Sequence, residues 1–121
     1  MNIRTITLPL ALAVASLSAP LAHAHAKIDA AEPKAGSELA SAPKEIILHF
    51  NEKLEPAFSK IELFDAGNAP VKLPKAVLAK ADPKTMATPL PPLPAGQYHV
   101  RWSAMAHDGH KVKGEYRFKV K

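Results

Sequence analysis

Apolar and polar residues alternate along much of this chain. In Glu45-Ile46-Ile47-Leu48-His49-Phe50, the apolar Ile46, Leu48 and Phe50 fall on one face. Tyr98, Val100 and Trp102 do the same in Tyr98-His99-Val100-Arg101-Trp102-Ser103, with His99 and Arg101 opposite. Tyr116, Phe118 and Val120 do so in Glu115-Tyr116-Arg117-Phe118-Lys119-Val120. Successive side chains of an extended chain point to opposite sides, so a repeat of two marks a strand with one buried face. The pattern predicts firm strands at these three segments and weaker ones at residues 26–31, 60–64, 71–73 and 84–88. Trp102 is expected to face inward. His49 and His99, on the polar faces, are expected in solvent.

Twelve prolines and five glycines punctuate the sequence, and no uninterrupted segment beyond residue 24 carries a helical period of useful length. Pro89-Leu90-Pro91-Pro92-Leu93-Pro94 cannot occupy a central strand, because proline donates no backbone hydrogen bond. It is expected to run as an extended connection into the Tyr98 strand. Six or seven short strands separated by turn residues predict an all-β, antiparallel sandwich in a single domain.

The first 24 residues depart from this pattern. Arg4 is followed by an apolar run from Ile6 to Leu17 and by the small-x-small box Ala22-His23-Ala24. That is the form of a secretory leader, and the apolar run is too short to favour a membrane anchor. Cleavage after Ala24 leaves residues 25–121 as an exported, soluble domain that begins at His25. Ala24-His25-Ala26 fits the same rule and would leave Lys27 first, so the box alone does not choose between the two registers.

The formal net charge is +5. The lysines are scattered among acidic residues, which argues against a nucleic-acid-binding stripe. The chain has no cysteine, which excludes disulfides, thiolate metal sites and cysteine nucleophiles. No serine sits in a Gly-x-Ser-x-Gly elbow and no glycine-rich loop resembles a phosphate cradle.

The candidate chemistry lies in the histidines. Beyond the leader these are His25, His49, His99, His107 and His110. A histidine at a free N-terminus can chelate a metal through its α-amine and its own Nδ1. Asp108-Gly109-His110 could add a carboxylate and a third nitrogen, if residues two apart on a strand project to one side. A mixed nitrogen and oxygen set of this kind suits Cu(II). His107 would then point the other way, as a surface residue or a support to the ligands. Each piece has an ordinary alternative. Asp-Gly-His is a common turn sequence, and a histidine beside a cleavage box is commonly incidental, so spacing alone leaves a metal site open rather than established.

The order of several segments adds a resemblance. His25-Ala26-Lys27 precedes Pro33 and Gly36-Ser37. Ile46-Ile47-Leu48-His49-Phe50-Asn51-Glu52 follows. Pro94-Ala95-Gly96-Gln97-Tyr98-His99-Val100-Arg101-Trp102 then leads into Ala106-His107-Asp108-Gly109-His110, Gly114 and the closing Tyr116-Arg117-Phe118-Lys119-Val120. In this order and spacing the chain resembles the CopC family of periplasmic copper-binding proteins. The resemblance implies an immunoglobulin-like Greek-key sandwich of about seven strands and cleavage before His25. It implies one Cu(II) held by His25, Asp108 and His110, with Glu52 close by as a supporting residue or weak ligand. It also implies a role in copper sequestration, resistance or delivery, with a membrane copper transporter of the CopD type as partner; the chain is expected to be a monomer and not an enzyme. Some members carry a methionine-rich Cu(I) loop. Here Asp65-Ala66-Gly67-Asn68-Ala69-Pro70 has no methionine, and only Met86 and Met105 lie beyond the leader, so the chain resembles the Cu(II)-only type. Two rival readings remain: a metal-free interaction module, and an oxidative copper enzyme built on an N-terminal histidine.

Overall fold

A computed structural model describes residues 28–121. The leader, the cleavage site and His25 lie outside the described residues. Nine strands follow one another: β1 (Ile28–Glu32), β2 (Glu38–Leu39), β3 (Glu45–Phe50), β4 (Lys60–Phe64), β5 (Pro70–Val71), β6 (Val77–Ala79), β7 (Asp82–Pro89), β8 (Gly96–Met105) and β9 (Lys111–Val120). A single 3-10 turn, Pro56–Phe58, precedes β4. The strands at 45–50 and 60–64 fall where the alternation places them. The strand expected at 71–73 is the two-residue β5, displaced toward Pro70. The count of about seven becomes nine because β2 and β6 are too short to show a period.

The strands form two sheets, ordered β1-β3-β7-β6 and β2-β9-β8-β4-β5. Neighbours are antiparallel except β2 and β9, which pair in parallel through Glu38↔Lys119 and Leu39↔Val120. The alternating apolar faces meet between the sheets. Ile46, Leu48, Phe50 and Met86 from one sheet pack with Ile61, Leu63, Tyr98, Val100, Ala104, Phe118 and Val120 from the other in one cluster. Phe50 and Trp102 join the sheets edge to face, with ring centroids 5.2 Å apart and planes at 77°, the arrangement favoured by the ring quadrupoles.

Trp102 faces inward as expected but is only half-buried, and so is Tyr116. The indole lies over Gly114, its partner in the β8–β9 register. A Cβ at residue 114 would stand 2.5 Å from Trp102 Cζ2, so the position leaves no room for a side chain. The proline-rich segment is an extended connection. Leu90 donates its N–H to the Lys44 carbonyl at 2.8 Å, and the Tyr98 hydroxyl donates back to the Pro94 carbonyl at 2.6 Å. That back-bond, from near the start of a strand to the corner before it, is a hallmark of Greek-key sandwiches.

Candidate metal centre

β8 and β9 pair from Gly96↔Val120 to Met105↔Lys111. Beyond the last pair, Ala106 N–H donates to the His110 carbonyl and Gly109 N–H donates to the Ala106 carbonyl, each at 2.9 Å. This is the bonding of a three-residue hairpin loop with its third residue in the left-handed region. Gly109 holds φ at +92°, where a side chain would be strained. Asp108 and His110 therefore sit in a turn, not on a regular strand, and the expectation of same-side projection along a strand is corrected.

The two residues nevertheless come together. Asp108 Oδ1 accepts the His110 backbone N–H at 3.0 Å, the bond to the backbone two residues on that aspartate makes readily. Its Oδ2 lies 2.8 Å from His110 Nδ1. The backbone bond, then the imidazole, hold the Asp108 carboxyl below its ordinary pKa. A carboxylate has no proton to give, so Nδ1 is the donor. In the neutral ring the lone pair is then on Nε2. The bond and the charge of Asp108, with a further contribution from Glu52, raise the His110 pKa. Glu52, expected close to the site, thus acts electrostatically on His110.

A strap from Lys53 to Glu55 lies along the loop. Leu54 forms an antiparallel bridge with Ala106. His107 N–H donates to the Lys53 carbonyl at 2.9 Å, and Glu55 N–H to the Met105 carbonyl at 2.8 Å. Leu54 and Ala106 are buried and anchor the strap. Glu55 Oε1 accepts from His107 Nδ1 at 2.8 Å. Sequence reading gives Glu55 only a place among the surface charges, because its pairing with His107 joins residues 52 positions apart and no local period signals it. Asn51 and Glu52 lead into this strap from the end of β3, and Ile28 pairs with Phe50. The described chain thus begins beside the strap.

Two further expectations fail. His49 is half-buried. Its Nδ1 donates to Thr85 Oγ1 at 3.0 Å, whose own hydroxyl donates to Asp82 Oδ2 at 2.7 Å. His99, also expected in solvent, leaves only 15% of its side chain exposed and contacts Glu115 through Nε2 at 3.0 Å. A sheet face read as polar is here a mesh of cross-strand pairs, and the pairs cover their members. Among the described residues, no group of three or more His, Asp or Glu side chains is arranged to hold a metal.

The model of the CopC domain matches residues 28–121. Copper resistance protein C of Pseudomonas syringae pv. tomato is 41% identical over 115 residues, covering 90% of each chain. Copper transport protein CutJ of Bacillus subtilis is 34% identical over 98 residues, which cover 80% of this chain but 18% of that longer protein. The crystal structure of PcoC from Escherichia coli, a methionine-rich copper resistance protein, superposes with a TM-score of 0.72 at 38% identity, covering 81% of this chain and all of that one.

Proposed function

The chain belongs to the CopC family, and from that premise we propose that it is a periplasmic carrier of one Cu(II) ion. Removal of residues 1–24 frees the α-amine of His25. That amine and the His25 Nδ1 chelate copper in a six-membered ring, His110 contributes a ring nitrogen, and Asp108 contributes a carboxylate oxygen. The reading is carried by the Asp108–His110 loop. It brings the Asp108 carboxylate and the His110 ring within 2.8 Å of each other before the ion arrives, and their hydrogen bond is exchanged for the ion when both ligate it. Asp108 still has lone pairs to offer, since an ionised carboxylate accepts at about four sites. Glu52 adds negative charge beside the ion. The entry of the described chain at Ile28, paired with Phe50, brings the N-terminal side of the fold to the strap that flanks the loop.

Copper is cargo in this reading. A carboxylate from Asp108 fills a position that oxygen chemistry requires open. Cu(II) alone is proposed, because Met86 is buried in the core and the segment 65–70 holds no methionine. A membrane copper transporter is the proposed recipient. In CutJ, a protein named for copper transport, a matching domain forms 18% of a longer chain. The carrier acts as a monomer.

Mass spectrometry of the exported protein, joined to Cu(II) titration, tests this. The first residue should be His25, with one tight Cu(II) per chain. Protein carrying an additional Met before His25 should fold as well and bind copper far more weakly, since the amine becomes an amide. Lys27 as first residue, or unchanged affinity in the extended protein, overturns the reading.

A further inference from the structure

The loop carries two histidines, and the strap and the residue before it supply a carboxylate toward each. Glu52 adds its charge to His110, and Glu55 accepts from His107 Nδ1 at 2.8 Å. His107 is nonetheless the more open of the two, with 77% of its side chain exposed against 57% for His110. An exposed imidazole usually samples several rotamers. This one is hydrogen-bonded to Glu55, whose backbone N–H donates to the Met105 carbonyl at 2.8 Å. Since Glu55 accepts the Nδ1 proton, the neutral ring presents its lone pair at Nε2.

We propose that His107, oriented by Glu55, is an outer station for Cu(II): the ion meets His107 Nε2 on its way to Asp108 and His110 and again as it leaves for an acceptor. This deepens the carrier reading and rests on it. Ligand exchange at Cu(II) proceeds donor by donor, and a single imidazole adjacent in sequence to Asp108 offers a first donor outside the chelate. A station of this kind lowers the barrier in both directions and leaves the equilibrium unchanged. Affinity and exchange rate are therefore separable. Glu55 is a positioning residue, acting through the imidazole.

The test is stopped-flow loading of the protein beginning at His25 with Cu(II) and its removal by excess EDTA, with equilibrium affinity measured alongside. His107→Ala should leave affinity within about threefold while slowing loading and removal by about tenfold or more, a barrier change of about 1.4 kcal/mol. Glu55→Ala should slow exchange less, because the ring stays but is no longer held. Glu55→Gln, whose side-chain carbonyl can still accept from Nδ1, should recover most of the rate. His110→Ala should lose affinity outright. Unchanged exchange in His107→Ala, with His110→Ala still losing copper, overturns this inference and leaves the carrier reading intact. Equal loss of affinity in both variants makes His107 a principal ligand and also overturns it. A wild-type protein that binds no Cu(II) overturns both.

Discussion

Replacing Gly109 by alanine isolates what the hairpin loop requires. The residue holds φ at +92°, and a Cβ built there meets nothing within 4 Å. Steric clash therefore contributes nothing, and the cost is torsional. The left-handed region costs a residue with a Cβ roughly 1–2 kcal/mol. Alanine also restricts the unfolded chain, which returns about 0.4–1 kcal/mol. The net expectation is a loss of about 1 kcal/mol, or about 4–8 °C in melting temperature for a domain of this size. The loss can be distributed in two ways. If the loop keeps its shape, the whole effect appears in the stability of the metal-free protein. If the loop relaxes, Asp108 releases the His110 N–H and ring, stability is preserved and the same free energy weakens copper binding by about fivefold. Thermal and urea unfolding of the metal-free protein, with a competitive Cu(II) titration, measure both parts. Gly109→Asn should lose less, because asparagine enters the left-handed region more readily. A Gly109→Ala protein with unchanged stability and unchanged copper affinity would refute the reasoning, as would an asparagine variant worse than alanine.

Gly114→Ala should also destabilise, for the opposite reason: its φ is ordinary, but its Cβ would lie 2.5 Å from Trp102 Cζ2 and 2.8 Å from Cε2. Overpacking of this kind costs roughly 1–3 kcal/mol. In a Trp102→Phe background the penalty should shrink, and a double-mutant cycle by urea denaturation showing no coupling would count against the contact. The imidazole of His110 in the metal-free protein should titrate above the ordinary value of about 6.5, because Asp108 favours its charged form. NMR titration should show the midpoint falling in Asp108→Ala, and an unmoved midpoint would contradict the pairing. The Tyr116 hydroxyl is buried without a hydrogen-bond partner among the described residues, and burial raises its pKa. Above pH of about 10 the unfolded chain ionises first, so stability should fall with rising pH by up to about 1.4 kcal/mol per unit. Tyr116→Phe should lack that share of the alkaline loss and be no less stable at pH 7; a variant that melts lower would mean the hydroxyl is satisfied.

The fold was legible where burial imposes a period. Ile46, Leu48 and Phe50 announce β3 because one face of that strand is wholly enclosed. β2 and β6 were not legible, since strands of two and three residues are set by their neighbours' hydrogen bonds rather than by their own side chains. Asp108 and His110 were legible as a pair, but for a reason that proved incomplete. The proximity comes from an aspartate bonding its own backbone across Gly109, a local effect, and not from strand projection. His107–Glu55 and His49–Thr85–Asp82 were invisible for the converse reason. They join distant segments through register, and register depends on how the whole sandwich closes.

The loop from Ala106 to His110 has a property independent of the domain that carries it. Its shape is fixed by two backbone bonds and one aspartate within five consecutive residues, so its donor geometry is encoded locally. The strap holds His107 from outside the loop, but the contact between Asp108 and His110 needs only a pair of antiparallel strands to start from. Transplanted onto another β-hairpin with a three-residue turn, Ala-His-Asp-Gly-His should fold to the same arrangement of carboxylate and imidazole. On the carrier reading proposed above, it would bring two of the copper ligands to a scaffold that never had them. What it would lack is the far end of the chain. The proposed carrier site would thus divide into a portable part, written in five adjacent letters, and a part that depends on proteolysis exposing a new terminus.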